Sequence, residues 1–396
     1  MRAHSASSTK LDSYDAGFEV GRELAELAPE LVVVFASIHY DFVDFHEGLV
    51  DGLGREDVEV FGGTGDGFFE TRAAADIGVA ALGIASAGAL GVHVHVEPEL
   101  GADSRAVARR AAEAIARSAG EAPVRLAMVL YDGLECGDNR VVEGINEVLD
   151  CPVFGGITSD DRKMERSLVI HRDQARANAV GLLGLTGELA FALGVENGAS
   201  AVGASGVVEA ATGNTLERIE GLPAIEFTAK RLAKDASTFT NQDIGVLNFE
   251  CASSADMADP QYRSVSNWQR SDGALETFGP VEVGQHVRVA LVTSDELLAG
   301  ARSVLDALDR ERLDFEPVAG LAISCAGRKW FLGQRYGEEA EVIRDNLPDL
   351  PFIGFPSLGE IAPRRRADGS YSTNLFHNVS LVVALLGRPR TPDRAP

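Results

Sequence analysis

Cys325 and Arg328 stand three residues apart at the end of the apolar run Val318–Ser324. Two kinds of chemistry follow from that pair. A thiol beside a guanidinium can have its pKa depressed and act as a nucleophile. The guanidinium can instead fork onto a ligand carboxylate, while Glu360 or Asp41 receives an ammonium group. The second arrangement fits an amino-acid-shaped ligand. The plainer alternative is a small buried residue beside a structural ion pair, Arg328 with Glu360. Ser357, Gly359, His377 and Asn378 lie near the following strand ends and complete a candidate cleft.

Other chemistries fail on spacing. Gly62-Gly63-Thr64-Gly65-Asp66-Gly67 lacks the Lys-Ser/Thr of a phosphate loop, and Phe68-Phe69-Glu70 opens no convincing helix. Ser357 has Phe355 two residues before it, and Ser205 has Val207 two after, so neither sits in a nucleophile elbow. His93, His95 and Glu97 alternate on one strand face, but structural metal sites usually draw ligands from separate elements. Cys136, Cys151, Cys251 and Cys325 form no CxxC pair, which fits a reducing compartment. We find no catalytic constellation, no metal site and no cofactor motif, and read the chain as not an enzyme.

The elements that carry these residues are repeated. Val60-Phe61-Gly62-Gly63 recurs as Val153-Phe154-Gly155-Gly156, and the flanking pattern recurs with it. Leu31–Ala36 and Val124–Leu130 read as buried strands, preceded by helices at Tyr14–Ala28 and Ser104–Ser118. Helices at Phe42–Leu53 and Asn139–Leu149 follow. Strands at Ile77–Ile84, Ala89–Val96, Val180–Leu185 and Glu188–Val195 close the two copies. A looser third copy runs from a strand at His286–Thr293 to Val379–Leu386. Self-similarity at a long fixed period means duplicated units. The expected fold is α/β: two associated α/β regions with mixed sheets, built from repeated helix-strand-helix-strand-strand-strand units. Ligands in such layers collect at the carboxyl ends of strands, which adds Asp41, Gly62, Gly63, Thr64, Gly155 and Gly156 to the candidate site. The glycines also read as turn residues.

Between the second and third copies, Ala201–Ala211 and Leu216–Ile219 read as a hairpin, and Gly221-Leu222-Pro223-Ala224 opens a helix. Asp235–Asp243 and Ser253–Gly273 read as loops. The expected division is a disordered tail over 1–12, a region over 13–204 with repeats at 13–100 and 101–200, a second region over 205–387, and a disordered tail over 388–396.

A formal net charge of −24 repels phosphate backbones, so nucleic acid is not an expected partner. The longest uncharged stretch, Ile77–Val92, is too short for a spanning helix and is broken by glycines, so no membrane insertion is expected. No secretory signal is visible, and a cytoplasmic location follows. Exposed sheet edges would permit a homodimer without requiring one.

Four strings, Gly221 to Ala224, Cys325 to Arg328, Gly354 to Glu360 and Phe376 to Ser380, occur in an order and on elements that resemble the FIST family over residues 13–387. Ser380 stands where that family commonly has Thr, and Arg364-Arg365-Arg366 is an added basic run in the loop after Glu360. The resemblance implies a sensory protein that binds a small ligand such as an amino acid and signals through a protein partner. The rival readings are a thiol-dependent enzyme using Cys325 and an adaptor acting through its surface.

Overall fold

The computed structural model describes residues 1–136, 140–311 and 315–390. Three mixed sheets share one plan, centred on a parallel pair of strands. Leu31–Ala36 lies beside Glu59–Thr64, Leu126–Asp132 beside Val153–Thr158, and Phe315–Cys325 beside Phe352–Ser357. The registers match: Val34 is opposite Gly62, Val129 opposite Gly155, and Ala322 opposite Gly354. On one flank each pair carries an antiparallel strand, Val79–Ala85, Ala179–Gly187 or Leu381–Pro389. Beyond these lie Arg2–Ser8, Leu90–Pro98 and Ala190–Glu196, in that order.

The other flank is completed by a neighbour. The hairpin Val169–His171 with Gln174–Arg176, from the second unit, extends the first sheet. Glu360–Arg365 with Tyr371–His377, from the third, extends the second. Phe68–Glu70 with Ala74–Ala75, from the first, extends the third. The sheets therefore relate by a pseudo-three-fold exchange. Their inner faces enclose one core in which Phe35, Leu130, Phe154, Ile323 and Phe355 are buried, with the Phe35 and Phe355 ring centroids 4.4 Å apart.

The repeated glycines sit inside strands, which corrects their reading as turn residues. A Cβ at Gly62 would come within 1.9 Å of the Val34 carbonyl oxygen, at Gly155 within 1.9 Å of that of Val129, and at Gly354 within 2.3 Å of that of Ala322. Close approach of the parallel partner, three times over, is what the repeat encodes.

Residues Ser200–Leu291 form a separate antiparallel barrel set into the chain between Ala190–Glu196 and the helix Ser294–Glu311. Its strands follow the order Ser200–Thr212, His286–Leu291, Leu247–Ala252, Gln261–Asn267, Leu275–Thr277, Thr215–Ile219 and Leu222–Pro223, and pairing of the first with Thr215–Ile219 closes it. Phe227, Phe249, Leu216 and Val287 belong to its own core.

Three expectations are corrected here. His286–Leu291 belongs to the barrel, and Ala190–Glu196 instead flanks the third sheet. Gln261–Asn267, expected as loop, is a strand that buries Tyr262, Arg263 and Val265. The first residues are no tail: Arg2–Ser8 pairs with Val79–Ala85, burying Ser5, Ala6 and Ser8. The expected division at residue 205 falls within the strand Ser200–Thr212. Of the helix expected from Asn139, the described part is Val141–Asn146, and Asn139 lies outside the described residues. Strand Leu381–Pro389 runs into the expected C-terminal tail, of which residues 391–396 lie outside the described residues. Among the described residues no helix is long and apolar enough to cross a membrane.

Candidate functional site

Cys325, Arg328, Glu360, His377 and Asn378 do come together, at the foot of the barrel, but as a buried polar cluster. Cys325 ends the strand Phe315–Cys325, and Arg328 lies in the short helix Ala326–Leu332 that follows directly. Arg328 is fully buried. Its guanidinium forms a buried ion pair with Glu339, on the helix Tyr336–Asn346, and donates to the carbonyls of Leu297 at 2.9 Å, Asn197 at 3.1 Å and Val379 at 3.4 Å. Ser324 also donates to Glu339. The partner of Arg328 is thus Glu339, not Glu360. A buried guanidinium needs this many acceptors to offset its lost hydration.

Glu360 and His377 stand directly opposite each other on the third hairpin, so their side chains share a face. Glu360 is fully buried; Oε2 accepts from the Ser380 amide at 3.0 Å, while Oε1 makes no conventional N–H or O–H hydrogen bond and the carboxyl interacts with the neighbouring Cys325 thiol. Burial pushes the Glu360 carboxyl well above its ordinary pKa. The neighbouring Cys325 thiol is also pushed up, by burial first and by Glu360 second. Such a thiol is the opposite of an activated nucleophile.

His377 is equally buried, and burial together with the cation of Arg364 holds its pKa well below the usual histidine value. Its Nε2 lies 3.1 Å from the Ala362 carbonyl and so carries the proton, leaving Nδ1 as an acceptor without a partner. Asn378 shapes the adjoining turn: its amide donates to the Tyr262 carbonyl, and its Oδ1 accepts from the Ser264 amide. Val379 then adopts φ 54°, an outlier for a β-branched residue, which turns its carbonyl toward Arg328.

Sequence reasoning missed Asn197 and left Arg364 without a role. Among the described residues six buried side-chain atoms lack a partner, and four of them are Asn197 Nδ2, Glu360 Oε1, Arg364 Nη2 and His377 Nδ1. Buried polar groups are nearly always paired, so four on adjoining segments of the chain call for an explanation. Arg364 is placed by the barrel: its guanidinium lies 5.1 Å over the Tyr262 ring and donates to the Pro260 carbonyl at 2.5 Å. Arg366 pairs with Asp259 at 2.7 Å, and Arg365 lies 5.3 Å over the Tyr371 ring. The basic run thus fixes the third hairpin, with Arg364 and Arg366 holding the barrel.

The remaining candidates lie elsewhere in the architecture. Ser357 donates to the Ile157 and Gly359 carbonyls, and Gly359 donates back to the Ser357 hydroxyl. Gly155 and Gly156 pair with Ile361 and Glu360; Gly62 and Gly63 pair with Ile170 and Val169. Thr64 accepts from the Leu168 amide. Asp41 is exposed and caps the helix Phe42–Leu53, accepting from the amides of Val43 and Asp44. His93 contacts Ser118 and Thr186, while His95 pairs with Glu97.

A second polar cluster ties the strand ends of the three units together. The buried Asp66 carboxylate accepts from Lys329 at 3.1 Å, Arg162 at 2.9 Å and the Trp330 indole at 3.1 Å, and Lys329 also reaches Asp76. Every Asp66 oxygen there is already engaged.

Comparison with known proteins identifies two regions, a FIST N domain over residues 30–222 and a FIST C domain over residues 224–363. No match was found among curated proteins. A solved structure of T. maritima PurL complexed with AMPPCP aligns at 12% identity over 98% of this chain and 72% of that one, but with a TM-score of 0.22 it carries no argument. The FIST domain is a sensory, non-catalytic domain of signal-transduction proteins. With its two matched regions spanning most of its length, the chain belongs to the FIST family.

Proposed function

We propose that this chain is a cytoplasmic sensor that binds a small polar ligand at the foot of the barrel and signals through a protein partner. The observation that carries the reading is the set of unpartnered buried atoms on Asn197, Glu360, Arg364 and His377. Arg364 and Asn197 offer donors to a carboxylate. His377 Nδ1 offers an acceptor to an ammonium group, and Glu360 Oε1 becomes a second once the incoming cation displaces the proton that burial holds on the carboxyl, so an amino acid matches the set. Cys325, Arg328 and Asn378 frame the site rather than touch the ligand. The thiol-enzyme reading is disfavoured by the upward shift of the Cys325 pKa.

The test is a thermal-shift series with the full chain against individual amino acids. Ligand at 100 times its Kd adds about 2.7 kcal/mol to the folded state. Glu360→Gln and Arg364→Gln should each abolish the shift produced by the best amino acid. If no amino acid stabilises the protein, or if both variants keep the full shift, the site assignment is wrong.

A further inference from the structure

The pseudo-three-fold plan supplies a reference for the buried cluster. In the second sheet Leu182 lies opposite both Val129 and His95, and in the third Val383 lies opposite both Ala322 and Gly194. His95 therefore corresponds to Gly194, and three residues on, Pro98 corresponds to Asn197. On the hairpins, Val169 lies opposite Gly63 and Arg176, just as Glu360 lies opposite Gly156 and His377. Val169 and Arg176 thus stand where Glu360 and His377 stand.

The reference position is open. Val96, Pro98, Val169, His171 and Arg176 line a cleft of about 270 Å³ between Leu90–Pro98 and the second hairpin. Pro98 and Arg176 are exposed there, whereas Asn197 and His377 have no exposure. What differs is the barrel, which lays Tyr262 and the Pro260 carbonyl over the third hairpin.

The barrel is attached in a way that suits a moving part. Its two connections leave the body side by side, since Ser200 pairs with Leu291 at the start and end of the insertion. Gly198, with φ 85°, lies in the first connection and packs against Gly300. The barrel core is self-contained. Its grip on the third hairpin is polar: Arg364 to Pro260, Arg366 to Asp259, the Arg263 guanidinium to the Phe376 carbonyl at 2.7 Å, and the Asn378 turn. Polar interfaces of this kind between regions of one chain separate at modest cost.

We infer that the inserted barrel is a hinged lid over the Asn197–Glu360–Arg364–His377 cluster, latched by Arg364 and Arg366. It swings about the paired connections at residues 197–200 and 291–294 to admit a small, net-neutral polar molecule. This rests on the site proposed above and assigns how that site is reached. Lid opening is also the motion a partner would read, because it moves a whole folded unit.

The closed lid should shield Cys325, which packs with Val379, Val292 and Ala199 beside the connections, while Cys251 reports on the integrity of the barrel core. Iodoacetamide labelling of the full chain, resolved by mass spectrometry, measures both. Arg364→Ala removes a charged hydrogen bond and a ring contact, and should raise Cys325 labelling about tenfold with Cys251 unchanged. Arg366→Ala, on a half-exposed side chain that leaves folding intact, should raise it by a smaller factor, as should added salt with the native chain. If Cys325 labelling stays at its native rate in every case, or rises only in step with Cys251, there is no hinged lid. No ligand enters this measurement. A lid that opens in a protein that binds no amino acid overturns the site alone, and amino-acid binding with Cys325 unresponsive overturns the lid alone.

Discussion

Arg328 and Glu339 form a fully buried ion pair, eleven residues apart in sequence and brought together by the turn from one short helix into the next. The pair closes the base of the polar cluster. Removing one partner leaves an uncompensated charge, so Arg328→Met should cost about 3–5 kcal/mol in urea unfolding. The double variant Arg328→Met/Glu339→Leu should recover most of that loss.

Glu360 and His377 give opposite pH dependences. The Glu360 pKa is raised in the fold above its ordinary 4.5, so the folded state holds a proton that the unfolded chain has released. That contribution is complete below pH 4.5 and is lost as pH rises toward the folded pKa. Glu360→Gln should therefore gain stability relative to the native chain as pH increases above 4.5. Urea midpoints measured from pH 4 to pH 8 check the sign.

His377 has its pKa lowered below 6.5, so the unfolded chain takes up the proton first. Its stabilising contribution is present above pH 6.5 and is lost as pH falls toward the folded pKa. His377→Gln should flatten this acid-side decline in the same titration.

Gly155 has φ 146° and no room for a side chain beside Val129. Gly155→Ala combines backbone strain with overpacking and should cost about 3 kcal/mol or more. Gly54→Ala, at a helix end with open space, should cost only about 1 kcal/mol by the same measurement.

Tyr371 stacks near Phe191 and accepts the Leu193 amide proton at 2.9 Å, sealing the edge strand Ala190–Glu196. Tyr371→Phe should cost about 1 kcal/mol. Hydrogen exchange at the Leu193 amide should quicken while its neighbours keep their protection.

Much of the architecture was legible where one physical signal dominated. Leu31–Ala36 is an unbroken apolar run, and Phe42–Leu53 follows the cap at Asp41; both match from end to end. The strand Gln261–Asn267 was hidden because its polar residues serve an interface: Arg263 is buried against backbone carbonyls, not paired with an acid. The site was half legible. Glu360 and His377 are found from their strings, but Arg328 was assigned the wrong acid, since Glu339 sits in a helix among other acidic residues. Asn197 follows an ordinary strand, and only the three-dimensional repeat shows what it lines up with. The arginine run acquired a meaning only once the barrel lay against it.

Strand exchange between the units also sets the order in which the molecule can be finished during synthesis. The first sheet needs nothing beyond Arg176, so it can assemble while the rest is still being made. The second must wait for Glu360–His377, and the third for Leu381–Pro389, leaving their edges bare until those segments emerge. A stop before Glu360 would therefore strip two sheets at once and leave a nascent chain for chaperones or proteases.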